Sequence, residues 1–557
     1  MASQRNSIGP CLAGCLSLSV IFAAAPARAA EQLVLKFGPF EQTVKVADLD
    51  RYAQTGKVSK DLTLFKPFLT DNIRKSLTAR LNVDPKLAEQ FAGDMLKSPS
   101  GKKLLDTVQP ALPGLTPELI QGGISLAIKQ FNGLDTMGVL KAIPQDTITV
   151  DVSQAIGIAS KVNWGYWRTQ AMSTVLQDQL KVDAPDVKLD FDSAAPGKYQ
   201  VQVTELSRQD SKRKRDIPFD IYRPETNVTG NVSGAPLVVL APGYEADRRF
   251  LKYLGQHLAS HGITVVALQH PSVASTQGKI TLDKLMPAEE FLDRPKDVSF
   301  LLDELTQLNQ TPDWKDAFNT RQVSVIGHSL GGYTALALGG GELRLNELRQ
   351  FCMDSNVLER VPADWLQCNA TRLPNKRTVR LRDDRVVQVT ALNPAIGQIF
   401  GKQGLSKVSV PTLIFSSSED ALAPSLSQQF QPFTQLPEKS RYLMTAIGPT
   451  HLSVSDPANL TGTIAATTLV QEKRGPEMEP LRQAMRSVSL AFVNQLTGNA
   501  DRYAPILTPG YIQARSQPQI TLRFNQTLPV SVTQLFQITA NLQSQSLFAN
   551  FVPLRKS

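Results

Sequence analysis

Residues 323–338 read VSVIGHSLGGYTALAL. Val-Ser-Val-Ile is short, β-branched and apolar, the pattern of a strand covered on both faces. Gly-Tyr-Thr-Ala-Leu-Ala-Leu reads as the helix that follows. Between them lies Gly327-His328-Ser329-Leu330-Gly331, a G-x-S-x-G with Gly332 after it. With 34 glycines in the chain, the five-residue pattern alone is weak, and its context gives it weight. A serine on a sharp strand-to-helix turn projects its hydroxyl above the strand ends. It then sits beside a helix N-terminus, where developing negative charge is favoured. Small residues on both sides let strand and helix approach.

The same rhythm extends in both directions. APLVVLAPG (235–243), ITVVALQHP (263–271), VVQVTALNP (386–394), PTLIFSSSED (411–420) and RYLMTAIG (441–448) read as further buried strands. RRFLKYLGQHLASHG (248–262), RPKDVSFLLDELTQL (294–308) and SLSQQFQPFTQL (425–436) have helical spacing. Alternating strands and helices imply a parallel sheet with right-handed crossovers. Ahead of them, KYQVQVTEL (198–206) and DIPFDIYRP (216–224) read as two strands around the basic turn Ser211-Lys212-Arg213-Lys214-Arg215. That turn reads as a solvated hairpin tip, with contact to an anionic surface as the alternative. The interval 339–384 breaks the rhythm and reads either as a lid over the site or as a plain surface insertion.

A serine hydroxyl is a weak nucleophile until a base takes its proton. The chain has five histidines: His257, His261, His270, His328 and His451. His257 and His261 belong to a helix and its C-terminal turn. His328 is inside the elbow, where its backbone matters and its side chain is expected to point away. His270 ends the second of the central strands and is assigned a pocket-wall or structural role. His451 follows the last strand, where a base arrives if the chain order is Ser, acid, His. Asp420 closes PTLIFSSSED and is the acid that would fix the imidazole tautomer. Glu419 is the runner-up and Asp456 a weaker alternative. Two backbone donors must hold an oxyanion. The amide of Leu330 is one; the amide of Tyr244, after Gly243, is nominated as the other. Gly243 permits close approach of the backbone to substrate.

The flanks differ from this core. The chain has 557 residues, 42% of them hydrophobic and 20% charged, which excludes a wholly disordered protein. Its net charge of +9 is spread thinly, unlike the concentrated basic face of a nucleic-acid binder. An apolar run from Cys11 to Ala25, then Ala27-Arg28-Ala29, has the pattern of a secretory signal peptide cleaved after Ala29. Cleavage would remove Arg5, Arg28, Cys11 and Cys15, and export to the periplasm or the extracellular space is expected. Cys352 and Cys368 would then remain, 16 apart in an exported chain, which suggests a disulfide. Residues 31–48 suit a strand or short hairpin. From Val46 to about Leu180, segments such as VADLDRYAQTG, PKLAEQFAGDMLKS and GISLAIKQFNGL indicate a mainly helical domain, taken as 30–185. After the core (198–495) comes a tail, 496–557. From Arg502 onward it has five basic residues and no Asp or Glu. Packing on the core, covering the N-terminal domain or touching an anionic surface are all open to it.

VVLAPGYEADRRF, FLDRPKDVSFLLDEL, VSVIGHSLGGYTALAL, VPTLIFSSSEDALAP and GPTHLSVSDP together resemble the α/β-hydrolases. The resemblance is to the platelet-activating-factor acetylhydrolase and dienelactone hydrolase-like branch. Pro-Gly-Tyr followed by LASHG is also similar to bacterial cutinase-like polyester hydrolases. The segment before the core resembles an N-terminal domain of uncharacterised cyanobacterial α/β-hydrolases. The resemblance implies a doubly wound, mostly parallel sheet and carboxylic ester hydrolysis without metal or organic cofactor. A small-molecule or lipid ester is the expected substrate. Peripheral membrane contact would fall to the N-terminal domain or the basic tail. The departure is Pro242-Gly243, where the acetylhydrolases have His-Gly. A polyester hydrolase, a thioesterase and a non-catalytic hydrolase-like binding protein are the rival readings.

Overall fold

A computed structural model describes residues 30–66 (without 38–39), 109–151 (without 132–135), 176–225, 234–271, 286–355, 360–374, 377–459 and 470–533. Isolated positions between 69 and 169 are also described. The leader, the segment 85–98 and the tail beyond 533 fall outside them.

The N-terminal domain opens with a hairpin, β1 (Gln32–Phe37) and β2 (Phe40–Lys45). Helices α1 (Val46–Thr55), α2 (Pro117–Phe131) and α3 (Thr136–Ala142) follow. Gly56 closes α1 in the left-handed conformation, φ +73°, where a residue without Cβ carries no steric penalty. The chain then returns as β3 (Thr147–Asp151), parallel to β1. The mainly helical stretch thus also contains a strand that its sequence reading did not single out. Thr-Ile-Thr-Val-Asp is β-branched, but its partner lies more than a hundred residues earlier, so its role is set by a non-local pairing. Leu33, Val44, Tyr52 and Ile148 belong to a small core of this domain.

The main sheet has nine strands in the order β14-β13-β12-β11-β8-β6-β7-β5-β4. Six central strands run parallel: β6 (Leu237–Ala241), β7 (Val265–Leu268), β8 (Val323–His328), β11 (Val386–Leu392), β12 (Thr412–Ser417) and β13 (Arg441–Ile447). Their near-continuous burial follows from helices on both faces. These helices include α4 (Lys252–Ser260), α5 (Glu290–Leu308), α6 (Leu330–Leu338) and α9 (Glu479–Asn494). Two separate apolar cores lie on the two faces, one around Phe291, Tyr333 and Phe400, the other around Phe250, Phe415 and Phe492. The chain has the α/β-hydrolase fold.

Antiparallel strands close both edges. β4 (Val201–Asp210) and β5 (Arg215–Pro224) form the expected hairpin. Its basic turn, however, is not simply solvated. Arg213 donates to Asp210 and Asp297 at 2.6 Å each, and Arg215 makes a two-pronged contact with Asp297 at 2.8 and 2.9 Å. At the other edge, β14 (Thr521–Asn525) pairs with β13. The described tail therefore completes the hydrolase sheet, and the core does not end at 495. Arg502 stacks on Phe191, Arg515 on Tyr511, and Arg523 donates to the carbonyl of Gln177. Three of the tail's five basic residues are thus engaged within the molecule.

The insertion after α6 contains α7 (Leu345–Asp354), α8 (Pro362–Cys368) and the two-stranded pair β9 (Glu342–Arg344) and β10 (Thr378–Arg380). Cys352 and Cys368 are joined by a disulfide, with Cα atoms 5.9 Å apart, and it ties α7 to α8. Among the described residues, no helix is long and apolar enough to cross a membrane.

Candidate active site

In a doubly wound sheet, a crevice opens at the carboxyl ends of the strands where the order reverses. Here β8 lies between β6 on one side and β11 on the other. Ser329 follows β8, Tyr244 follows β6, Asp420 follows β12 and His451 follows β13. One fold feature therefore delivers all four to the same end of the sheet.

Ser329 has φ 54° and ψ −116°, a backbone state that costs an L-residue about 1–3 kcal/mol. Close packing of the turn maintains it. A Cβ on Gly327 would sit 2.0 Å from the carbonyl oxygen of Gly331, and one on Gly331 would sit 2.1 Å from that of Ala241. Only glycine fits at either place. The Ser329 amide donates to the Leu392 carbonyl at 2.8 Å, and the Ser329 carbonyl accepts from Gly332 and Tyr333. Leu330 is the first residue of α6, so its amide is one of those a helix leaves without an intrahelical partner.

His451 Nδ1 lies 2.6 Å from Asp420 Oδ2, and both residues are buried. The other carboxylate oxygen of Asp420 accepts the amides of Leu422 and Ala423 at 2.9 and 2.6 Å. Burial opposes an imidazolium at His451, but Asp420 outweighs it and holds the ring above the ordinary histidine range. Glu419, the alternative acid, instead pairs with Lys473 at 2.8 Å. Asp456 accepts the amide of Ala458 and donates its own amide to the Phe250 carbonyl, away from this imidazole.

A cleft open to solvent brings Ser329 and His451 together with Gly243 and Tyr244. Apart from His328 its other walls are apolar, among them Phe250, Leu422, Ala423 and Leu452. The insertion contributes Pro362, Ala363 and Leu366, so it overhangs the cleft. Gly243 comes close to the nucleophile: a Cβ there would lie 3.1 Å from Ser329 Cβ.

Two placements differ from the sequence reading. His270 does not line this cleft. It is buried, with Nδ1 2.9 Å from Asp297, and belongs to the ion-pair cluster under the β4–β5 turn. His328 does not point away. Its ring lines the cleft, stacks on Phe250 at 4.5 Å and donates from Nε2 to the His451 carbonyl at 3.0 Å. Burial pushes its pKa well down, so the ring is neutral. Asn393 Nδ2 donates to the same carbonyl at 3.0 Å. Glu472 accepts from the Thr450 hydroxyl at 2.6 Å and the Leu452 amide at 2.8 Å, one on each side of His451. The sequence carried a faint signal for Asn393, in the Asn-Pro that ends β11, and none for Glu472. Among the described residues, no group of His, Cys, Asp or Glu is placed to hold a metal ion.

Fold and residues together place the chain in the α/β-hydrolase superfamily. Residues 29–151 match a family described as an alpha/beta hydrolase of unknown function, DUF1400. Residues 191–353 match the chlorophyllase family. Over 291 residues the chain is 22% identical to Cutinase 2 of Thermobifida cellulosilytica. That alignment covers 52% of this chain and 77% of the cutinase. It is also 22% identical over 291 residues to Cutinase cut1 of Thermobifida fusca, covering 63% of that protein.

Proposed function

We propose that the protein is an exported serine hydrolase that cleaves carboxylic esters through an acyl-enzyme on Ser329. The observation that carries this reading is one cleft holding a serine at positive φ and a histidine whose Nδ1 is fixed on a buried aspartate. In this reading His451 removes the Ser329 proton as the hydroxyl attacks the ester carbonyl. Asp420 holds the tautomer that leaves Nε2 as base and stabilises the imidazolium. The amides of Leu330 and Tyr244 receive the oxyanion. His451 then protonates the leaving alcohol and activates water for deacylation.

The apolar walls favour an uncharged acyl or alcohol group. The resemblance of 238–250 and 291–305 to acetylhydrolases favours a compact one. The likeness to cutinases supports a second reading, a polyester as substrate. The disulfide suits an oxidising compartment and supports export. A fluorophosphonate probe should label the wild type and not Ser329→Ala; equal labelling of both ends this assignment. A series of soluble esters of increasing chain length, set against a polyester film, separates the two substrate classes. A folded protein inert to all of them would favour the binding-protein reading.

A further inference from the structure

FLDRPKDVSFLLDEL lies on α5, outside the cleft, and the steps above use none of it. Its parts nevertheless converge on the cleft's frame. Pro295 has no N–H to give the Phe291 carbonyl four residues earlier. That carbonyl instead accepts the Tyr333 hydroxyl, from the helix that follows Ser329. Asp297 gathers Arg213, Arg215 and His270. Arg294 is buried; its Nε donates to Glu290 at 3.3 Å, and its Nη1 donates to the carbonyls of Pro242 and Gly243 at 3.2 and 3.3 Å. Burying such a charge costs several kcal/mol unless it is well paired, and an apolar side chain would serve packing better.

The geometry points to Arg294 as the positioning residue of the oxyanion hole. This rests on the serine-hydrolase reading above. A trans peptide is planar, with its C=O and N–H directed oppositely. Gripping the Gly243 carbonyl from the core side therefore turns the Tyr244 N–H the other way. Gly243 itself stands close to Ser329: a Cβ on it would lie 3.1 Å from Ser329 Cβ. The second contact, to the Pro242 carbonyl, fixes the preceding peptide as well. Together they restrain the loop against peptide rotation, which would remove the donor while leaving the cleft walls intact.

The test compares wild type, Arg294→Met and Arg294→Lys on one soluble ester and on a trifluoromethyl ketone that forms a tetrahedral adduct with serine. The positioning role predicts that Arg294→Met lowers kcat about 10²-fold, the scale of losing one oxyanion donor. KM should stay within about threefold, and ketone affinity should fall with kcat. Lysine cannot match the guanidinium's fork. Arg294→Lys should therefore give a smaller loss, on the order of tenfold, with the same pairing of kcat and ketone affinity; it decides the matter if the methionine variant does not fold. A folded Arg294→Lys with wild-type kcat overturns the inference. So does a kcat loss with ketone affinity unchanged. A wild type that neither turns over esters nor binds the ketone removes the serine-hydrolase reading and this inference with it.

Discussion

Two buried histidine–aspartate pairs occupy this domain, and their geometries nearly match. His451 lies 2.6 Å from Asp420, and His270 lies 2.9 Å from Asp297. Their protonation behaviour diverges. Asp420 gives its second oxygen to two backbone amides, so its charge acts on His451 and raises that ring's pKa despite burial. Asp297 is already matched by Arg213 and Arg215. Burial, with Arg294 nearby, therefore lowers His270 to about 4 in spite of the aspartate. His451 lines the cleft, whereas the Nε2 of His270 is buried with no hydrogen-bond partner among the described residues. A histidine–carboxylate contact is thus not in itself a catalytic arrangement. What matters is who else shares the carboxylate and what the far nitrogen faces.

The largest expected contrast is in turnover. His451→Ala should lower kcat on the order of 10⁶-fold, while His270→Ala leaves it within a few-fold. Equal losses would erase the distinction. Asp420→Asn should cost on the order of 10⁴-fold in kcat with little change in stability. Asp297→Asn should do the reverse. It takes one shared carboxylate from Arg213 and Arg215, which keep Asp210 and Glu290, and denaturant titration should show a loss of about 1–3 kcal/mol. Removing the disulfide with Cys352→Ser should cost about 3 kcal/mol in the same assay, with kcat on a small ester retained.

The smallest effect is the dependence on pH. The proposed base, His451, would act only when neutral, so kcat/KM should rise with pH through a midpoint above the ordinary value of about 6.5. The pKa of His270 is shifted the other way, downward. Between about pH 6.5 and about 4 the unfolded chain binds its proton and the folded chain does not. Stability should therefore fall as pH falls through that window. In His270→Ala this part of the slope should disappear; an unchanged slope would mean another group sets it.

Much of the core was legible along the chain. Each parallel strand is a short apolar run, and each was found within a few residues of its observed ends, because strands buried on both faces can contain little else. The elbow was legible because G-x-S-x-G between a strand and a helix is a local pattern, although what excludes a side chain at Gly331 is the distant Ala241 carbonyl. The order of Ser329, Asp420 and His451 was legible because each follows a strand end. Less legible were the residues whose roles depend on distant partners. β3 is a strand only because β1 waits for it: Gln32 pairs with Thr147, 115 residues further on. The basic turn looked solvated because Asp293 and Asp297 are distant in sequence and adjacent in space.

The sequence by itself determined which residues could do chemistry. It supplied one serine in a glycine-bounded turn, a histidine after the last parallel strand and an aspartate between them, since local sterics and chain order demand those residue types there. Tertiary structure decided which of two similar histidines is basic, where His328 points, and what Arg294 holds. Those outcomes depend on burial and on charges brought together from separate elements, and no local stretch of sequence encodes either.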